Sequence, residues 1–259
     1  MKVAVLIKRV PDTASVFKIA ADGKSVETGD LKFIIGPYDE HALEEAIQAR
    51  EAGHADEVIA VSMGGDGTQE TIRKALAMGA DRAVLVKYED IGALSSRGVA
   101  VALAAALKTE SPGLVFAGKQ AVDDDASQVP ERVSELLDIP HASVITDFKL
   151  EGDVATVERE IEGGHYSYAV GLPALFTVQK GINTPRYPKL PDIMKAKKKE
   201  LREVSIEDLG LSNEDVASGV RVEEMALPRQ ERLNKILDGD TGARVQQLLS
   251  ILREDEKVL

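Results

Sequence analysis

The sequence predicts an α/β protein with a doubly wound, mostly parallel sheet, an antiparallel extension and a C-terminal arm. Short apolar runs rich in β-branched residues recur between residues 3 and 178, as in strands that are buried on both faces. Segments with helical periodicity separate the first four of these runs. Because a helix that connects two strands of one sheet pairs them in parallel, the alternation indicates a doubly wound topology.

The apolar pattern places the individual elements. We expect core strands at residues 3–7, 57–62, 82–86, 113–117 and 172–178. A first helix follows the turn at residues 36–39, with Asp39 as its N-cap, and ends before Gly53. Further helices are expected at residues 68–78, 99–107 and 131–137.

The pattern changes at about residue 141. Alternating residues separated by glycine turns predict an antiparallel insertion at about 141–171, within a first domain that spans residues 1–200. Three prolines then exclude regular structure at residues 185–191, inside an exposed loop at 177–199. Residues 201–259 contain too few apolar residues to fold alone, so we expect an arm that packs on another surface.

Composition excludes several classes of function. The net charge of −12 disfavours nucleic acid as a partner, because phosphates would be repelled. The chain has no cysteine, hence no disulfide and no cysteine-ligated metal. No apolar run approaches the ~20 residues that span a bilayer. We therefore expect a cytoplasmic protein with no direct membrane insertion.

A polar turn at residues 118–128 is the strongest functional signal. It begins with Gly118, follows a predicted strand and precedes a predicted helix, which is how open α/β sheets present a nucleotide site. A second glycine-bearing turn, at residues 63–67, also follows a strand. Two such turns would flank a switch point in the sheet. Neither matches a P-loop or a dinucleotide fingerprint, so phosphoryl transfer is not expected.

The run Asp123-Asp124-Asp125 has two interpretations. It could hold a metal ion, but the alternating ligands and distant glutamate of an EF-hand are missing. We favour one aspartate as a helix cap and another bonded to a ribose or a backbone amide. Because three carboxylates repel a phosphate, we expect the phosphate beyond them, near residues 126–129.

No catalytic constellation is visible. The four histidines are scattered without metal-ligand spacing, and no serine sits in a nucleophile elbow. This favours a binding protein or cofactor carrier over a hydrolase or transferase. The basic cluster at residues 195–199, beside a loop that contains Tyr187 and Leu190, indicates a docking surface in an otherwise acidic protein.

Five blocks of sequence resemble the β subunit of electron transfer flavoproteins, in the order in which that family has them. They are residues 5–13, 69–82, 118–125, 157–164, and 183–187 continuing through 190–199. The resemblance implies an adenine-nucleotide-hydrolase-like sheet. It also implies a heterodimer with an α subunit that holds most of a shared FAD, and an arm, residues 201–259, that packs on that subunit.

The resemblance further implies an electron carrier rather than a self-standing enzyme. Acyl-CoA-type dehydrogenases of fatty acid oxidation would reduce the flavin, and a quinone-linked acceptor would reoxidise it. This subunit would bury AMP in a structural role. In electron-bifurcating relatives, which oxidise NADH, a second FAD takes that place.

Residues are carried over by similarity to two sites. The nucleotide would contact Leu6, Gly36, Pro37, Tyr38, Asp39, Met63, Gln120, Ala121, Val122, Asp123, Asp124, Asp125, Ala126, Ser127, Gln128, Val129, Pro130 and Glu131. The loop at 177–199 resembles the dehydrogenase-recognition loop, with contacts from Leu190, Pro191, Ile193, Met194 and Lys195. Leu190 stands at the apolar anchor position.

The match has three departures. Gly36 stands where asparagine is common, Val129-Pro130 where Thr-Gly is common in AMP-binding members, and Tyr166 where Glu or Gln is usual. The unbroken aspartate run favours AMP, because bifurcating members often carry glycine in its middle.

Two other classes of protein compete with an electron carrier. A universal-stress-type nucleotide-binding module would have a similar sheet, but it would need neither the Pro/Lys loop nor the arm. An ATP-using adenylating enzyme would need a pyrophosphate loop near the first strand, and residues 8–11 do not form one.

Overall fold

A seven-stranded sheet forms the centre of residues 1–223 in the computed structural model, which describes residues 1–228 and 234–259. The strands in chain order are β1 (Lys2–Leu6), β2 (Arg9–Pro11), β3 (Phe33–Ile35), β4 (Glu57–Gly64), β5 (Arg82–Lys87), β6 (Leu114–Gly118), β7 (His141–Ile145), β8 (Asp147–Glu151), β9 (Val154–Ile161), β10 (Gly164–Gly171), β11 (Ala174–Val178) and β12 (Leu201–Ser205). The helices are α1 (Pro37–Glu51), α2 (Thr68–Met78), α3 (Ser96–Glu110), α4 (Val129–Leu137), α5 (Leu190–Ala196), α6 (Asn213–Val216) and α7 (Thr241–Ser250).

The main sheet has the order β12-β5-β4-β1-β6-β11-β7, and every neighbouring pair is parallel. Helices α1 and α2 cover one face, while α3 and α4 cover the other. This confirms the predicted doubly wound class. All five predicted core strands lie in this sheet. Helices cover both of its faces, so the apolar side chains of these strands are buried on both sides.

The sheet contains a topological switch point at β1. The chain runs from β1 outward through β4 to β5, and it then returns through α3 to place β6 on the other side of β1. Loops after β1 and β6 therefore leave in opposite directions and open a crevice at the carboxyl edge of the strands. Ligands of open α/β sheets bind at such a crevice.

The antiparallel extension is smaller than the predicted insertion at 141–171. Its three strands have the order β10-β9-β8, but His141–Ile145 pairs in parallel with β11 as the edge strand of the main sheet. Only Thr146 separates β7 from β8, and no glycine or proline marks the break, so the sequence pattern did not divide the two strands. Phe148 of the extension packs against Phe116 and Phe176 of the main sheet, with ring centroids 5.0 and 5.5 Å apart.

The predicted loop at 177–199 is partly regular. Residues 177 and 178 complete β11, and Leu190–Ala196 forms α5. The prolines do not prevent this helix, because Pro191 lies in its first turn, where a missing N–H costs nothing.

The arm does not begin at residue 201 as predicted. Leu201–Ser205 is an edge strand of the main sheet, paired in parallel with β5. Leu201 packs on one face and Val204 on the other, which is too little apolar surface for composition to reveal a strand. A second compact unit comprises residues 224–259 and contains α7 with a following π-helical turn at Ile251–Asp255. Within the predicted arm, residues 229–233 lie outside the described residues.

Across residues 1–228 and 234–259, no helix combines the length and apolarity needed to cross a membrane.

Candidate functional site

Asp39 joins the two loops that leave the switch point. Its carboxylate accepts a hydrogen bond from the Lys8 backbone N–H at 2.8 Å, after β1, and another from the Gly118 N–H at 3.0 Å, at the end of β6. The prediction that Asp39 caps α1 is wrong. The helix begins at Pro37 with Gly36 as its N-cap, and no side chain caps it, because the Asp39 carboxylate is turned to the two neighbouring strands.

Two glycines allow this close approach. A Cβ on Gly118 would lie 2.5 Å from Asp39 Oδ1 and 2.6 Å from Tyr38 Cβ. A Cβ on Gly36 would lie 2.5 Å from Asp39 Oδ2. Any side chain at either position would push α1 away from the sheet edge. The glycine that opens the 118–128 turn is therefore needed for packing against Asp39.

The buried position of Asp39 changes its titration. Burial raises the pKa of Asp39 to about 7, although the hydrogen bonds from the Lys8 and Gly118 amides oppose the rise. The positive charge of Lys8 also opposes the rise in this pKa, whereas the negative charge of Asp123 adds to it. Burial therefore dominates the titration of the carboxyl that links the ends of β1 and β6.

Lys8 neutralises much of the aspartate run. Its Nζ donates to Asp123 Oδ1 at 2.8 Å and to Asp124 Oδ2 at 3.0 Å. Burial lowers the pKa of Lys8, but the two aspartates outweigh burial and hold it above its ordinary value. The third carboxylate, that of Asp125, accepts from Gln120 Nε2 at 2.6 Å. No aspartate of the run caps α4, whose N-cap is Gln128, because all three side chains bond within the turn or to β1's exit loop.

The start of α4 offers free hydrogen-bond donors. Asp125 and Ser127 both have left-handed backbone conformations, with φ of 48° and 49°, so the chain turns sharply into the helix. Within the described part of the chain, the backbone N–H groups of Gln128, Val129 and Glu131 have no protein partner. Pro130 has no N–H to contribute. Three amides at a helix N-terminus suit a phosphate.

Apolar side chains line the strand ends next to this helix. Leu6 and Met63 are buried on the face of the sheet that α3 and α4 cover. Pro37 and Tyr38 are half-buried in the first turn of α1, and the Lys119 ammonium lies 5.1 Å from the centre of the Tyr38 ring. The remaining predicted contacts, at residues 120–126, form the turn itself. An adenylate has an apolar base and an anionic phosphate. The apolar side chains suit the base and the free amides suit the phosphate.

The second predicted turn, at residues 63–67, is closed on one side. The Arg9 guanidinium stacks 3.3 Å from the centre of the Phe33 ring, and a Cβ on Gly67 would lie 2.9 Å from Arg9 Nη2. Met63, the first residue of this turn, is buried in the hydrophobic cluster on the face that α3 and α4 cover. We therefore take residues 118–131 as the centre of the candidate site.

Sequence reasoning missed Lys8 and Lys119. Lys8 follows the first core strand directly, at what proved to be the switch point. A cation at that place, combined with an aspartate run after another strand, is a signal that could have indicated the pairing. Lys119 carried no comparable signal, since one lysine in a polar turn is common.

The predicted docking residues form a separate surface. Leu190 and Met194 have 74% and 57% of their surface exposed, and Tyr187 just before them has 93%. Ile193 and Lys195 are also exposed, while Ala196 is buried and anchors the helix. A cluster of large exposed apolar side chains on a short helix is typical of a protein–protein interaction site.

The strand order defines a doubly wound α/β protein with a switch point at β1. A family model described as "Electron transfer flavoprotein domain" matches residues 24–209. The chain is 39% identical to the electron transfer flavoprotein subunit beta of Bacillus subtilis, over all of both chains. It is 40% identical to the mitochondrial subunit beta of Oryza sativa subsp. indica, again over all of both chains.

The mouse subunit beta is 42% identical over 86% of this chain and 89% of its own. This chain belongs to the electron transfer flavoprotein family and is a β subunit of it. The resemblance found in the sequence motifs is thereby confirmed. The family match does not favour a universal-stress-type module or an adenylating enzyme.

Proposed function

We propose that this chain is one half of a heterodimeric carrier that takes electrons from acyl-CoA-type dehydrogenases and passes them to a quinone-linked acceptor. An α subunit would hold most of the FAD, which supplies the one-electron chemistry when bound. The role of this chain is to clamp its partner, hold a nucleotide and present a docking surface. A cytoplasmic location is part of this proposal.

The nucleotide of this subunit would be AMP at the start of α4. The observation that carries the proposal is the set of free N–H groups on Gln128, Val129 and Glu131, which would hold the phosphate with the Ser127 hydroxyl. Leu6 and Met63 would lie beside the apolar parts of the ligand. Because Pro130 removes one donor, fewer amides are available than in a helix with glycine there.

AMP is favoured over a second FAD by the aspartate run. Asp124, at its middle position, bonds both to Lys8 and to the Ala126 N–H, so its side chain occupies space that a glycine would leave open. A second FAD, with NADH oxidation and electron bifurcation, is the alternative.

The C-terminal region would pack on the α subunit. Exposed apolar residues continue along it: Val220, Val222 and Leu227 before the undescribed residues, and Ile236, Val245 and Leu248 after them. Burying such side chains against a partner is favourable at ~25 cal/mol per Å². The arm proposed from the sequence is retained only for the residues after α6, because Ile206 and Val216 are buried in the core of the α/β domain.

Leu190, Pro191, Ile193, Met194 and Lys195 would contact the dehydrogenase. The apolar side chains would enter a pocket on the donor, and exposed lysines around them would attract an acidic rim.

Acid extraction of the purified heterodimer tests the cofactor assignment. We expect one FAD and one AMP per complex. Two FAD and no AMP would replace the AMP proposal by the bifurcating alternative. A complex that carries no flavin at all would overturn the electron-carrier function.

A further inference from the structure

Arg186 fastens the docking segment, defined here as residues 187–194, to helix α1. Its Nε and Nη2 donate to the two carboxylate oxygens of Glu44, both at 2.9 Å. Its Nη1 and Nη2 donate to the two oxygens of Glu51 at 2.6 and 2.9 Å. The backbone N–H of Arg186 also donates to Glu44 at 3.1 Å. One guanidinium thus binds two carboxylates that lie about two turns apart on the same helix, immediately before the exposed segment begins.

The charges in this clamp support one another. The hydrogen bonds that Arg186 donates to Glu51 and Glu44 hold the pKa of Arg186 above its usual range. Burial would raise the pKa of Glu44, but the bonds from Arg186 and Gln48 outweigh burial and keep that pKa below its ordinary value. Glu44 is 3% exposed, so the loss of its guanidinium partner would leave a buried carboxylate unpaired.

Asn183 adds a second fastening on the same helix. Its Nδ2 donates to the His41 carbonyl oxygen at 2.9 Å and to Glu45 Oε2 at 2.8 Å. Its Oδ1 lies 3.1 Å from His41 Nδ1. The chain before the docking segment is therefore bound to α1 through the side chains of Asn183 and Arg186.

The far end of the segment is tied to helix α2. Arg73 Nη1 donates to the carbonyl oxygens of Ala196 and Lys199 at 2.8 and 2.6 Å. Lys199 Nζ donates to the carbonyl oxygens of Leu76 and Ala80 at 2.9 and 2.5 Å. Between the two ties, Tyr187, Leu190 and Met194 stay exposed. The segment is held at its ends and leaves its apolar side chains unpaired.

We propose that Arg186 is a positioning residue for docking, which holds the segment in its binding-competent shape before a dehydrogenase arrives. This inference rests on the proposed docking function of Leu190 and its neighbours. Binding to a pre-organised surface avoids the entropy cost of ordering it. The planar guanidinium suits this role, because it bonds two carboxylates in a fixed geometry that a lysine cannot reproduce.

The chain supplies a matched control. Arg82 also bridges two carboxylates, donating to Glu57 at 2.8 Å and to Glu110 at 2.5 Å. It lies at the start of β5, on the sheet edge opposite the carboxyl crevice. Arg82→Lys therefore removes a similar fork without touching the docking segment.

The test uses the purified heterodimer and an acyl-CoA dehydrogenase reduced by its acyl-CoA substrate, with the carrier concentration varied. If Arg186→Lys lowers the competent population to about a tenth, KM for the carrier rises roughly tenfold with little change in kcat. FAD content stays at the wild-type value. Amide hydrogen exchange of residues 187–194 becomes faster. Arg82→Lys lowers thermal stability but leaves KM and this exchange unchanged.

Glu51→Gln is a milder second variant, because Glu51 is half-exposed at the end of α1. It should raise KM by less than Arg186→Lys. If both variants keep the wild-type KM and exchange rates while Leu190→Ala raises KM, the positioning role is wrong and docking stands. If Leu190→Ala also leaves KM unchanged, the docking function fails.

Discussion

The carboxylate of Asp39 accepts a hydrogen bond from the backbone N–H of Gly118 at 3.0 Å, across 79 positions of sequence. With its second bond, to the Lys8 N–H, it links α1 to the ends of the two central strands. The exit of β6 into the 118–128 turn is thereby set by a side chain from a different segment.

Asp39→Asn should destabilise the protein. An amide can present only one oxygen, so its NH₂ group would face the Lys8 or Gly118 N–H and leave one buried donor unpaired. Such a loss costs ~1–3 kcal/mol. Urea unfolding of the heterodimer measures it.

The pH dependence of that loss provides a second check. The pKa of Asp39 is about 7 in the fold and 3.8 ordinarily, so between these values the folded state keeps a proton that the unfolded state has released. The stability that Asp39 contributes is full below 3.8 and falls as pH rises through about 7. Asn does not titrate. The free energy of unfolding of the wild type should therefore exceed that of Asp39→Asn by more at pH 5 than at pH 8. An equal difference at both would contradict the raised pKa.

Gly118→Ala should displace α1 from the sheet edge. The added Cβ would lie 2.5 Å from Asp39 Oδ1 and 2.6 Å from Tyr38 Cβ, and overpacking of this kind costs ~1–3 kcal/mol. Nucleotide content should fall with it, because the turn begins at this residue. Gly171→Ala is the control, since a Cβ there meets no atom within 4 Å. A stable Gly118→Ala variant with full nucleotide content would show that the contact can relax.

Lys8→Gln should weaken nucleotide retention. Without the ammonium, Asp123 and Asp124 lose their shared partner, and their negative charge acts on a phosphate at the α4 start. AMP counted after acid extraction should decrease, and salt should partly restore it. Lys32→Gln removes an exposed pair with Asp12, outside the predicted site, and should retain AMP. Equal AMP in both variants would argue against a phosphate near the aspartate run.

Leu190→Ala should impair docking without unfolding the protein. The side chain is 74% exposed, so its removal changes stability by about 0.5 kcal/mol or less. If it inserts into a pocket on the dehydrogenase, the loss of burial costs ~1.5–3 kcal/mol of binding. Stopped-flow reduction of the bound flavin would show slower transfer at low carrier concentration. Val16→Ala, which truncates another exposed apolar residue, should transfer electrons at the wild-type rate.

Sequence alone was sufficient wherever neighbouring residues carry the information. Uniformly apolar runs identified the five core strands, because burial on both faces demands such runs. The polar turn after β6 stood out for the same local reason, and the ordered motifs identified the family. Locality also explains two errors. β12 has one apolar side chain for each face, and α5 begins among prolines, so neither has a recognisable pattern of its own.

Tertiary structure alone decided which side chains meet. Lys8 and Asp123 are 115 positions apart, and Arg186 and Glu44 are 142 apart, yet each pair is joined by hydrogen bonds. The role of Asp39 changed from helix cap to link between strands because β6 happens to lie beside β1 in the sheet. Local propensity depends on neighbours in the chain, whereas a site at a switch point is assembled from strand ends whose adjacency is set by the order of the whole sheet.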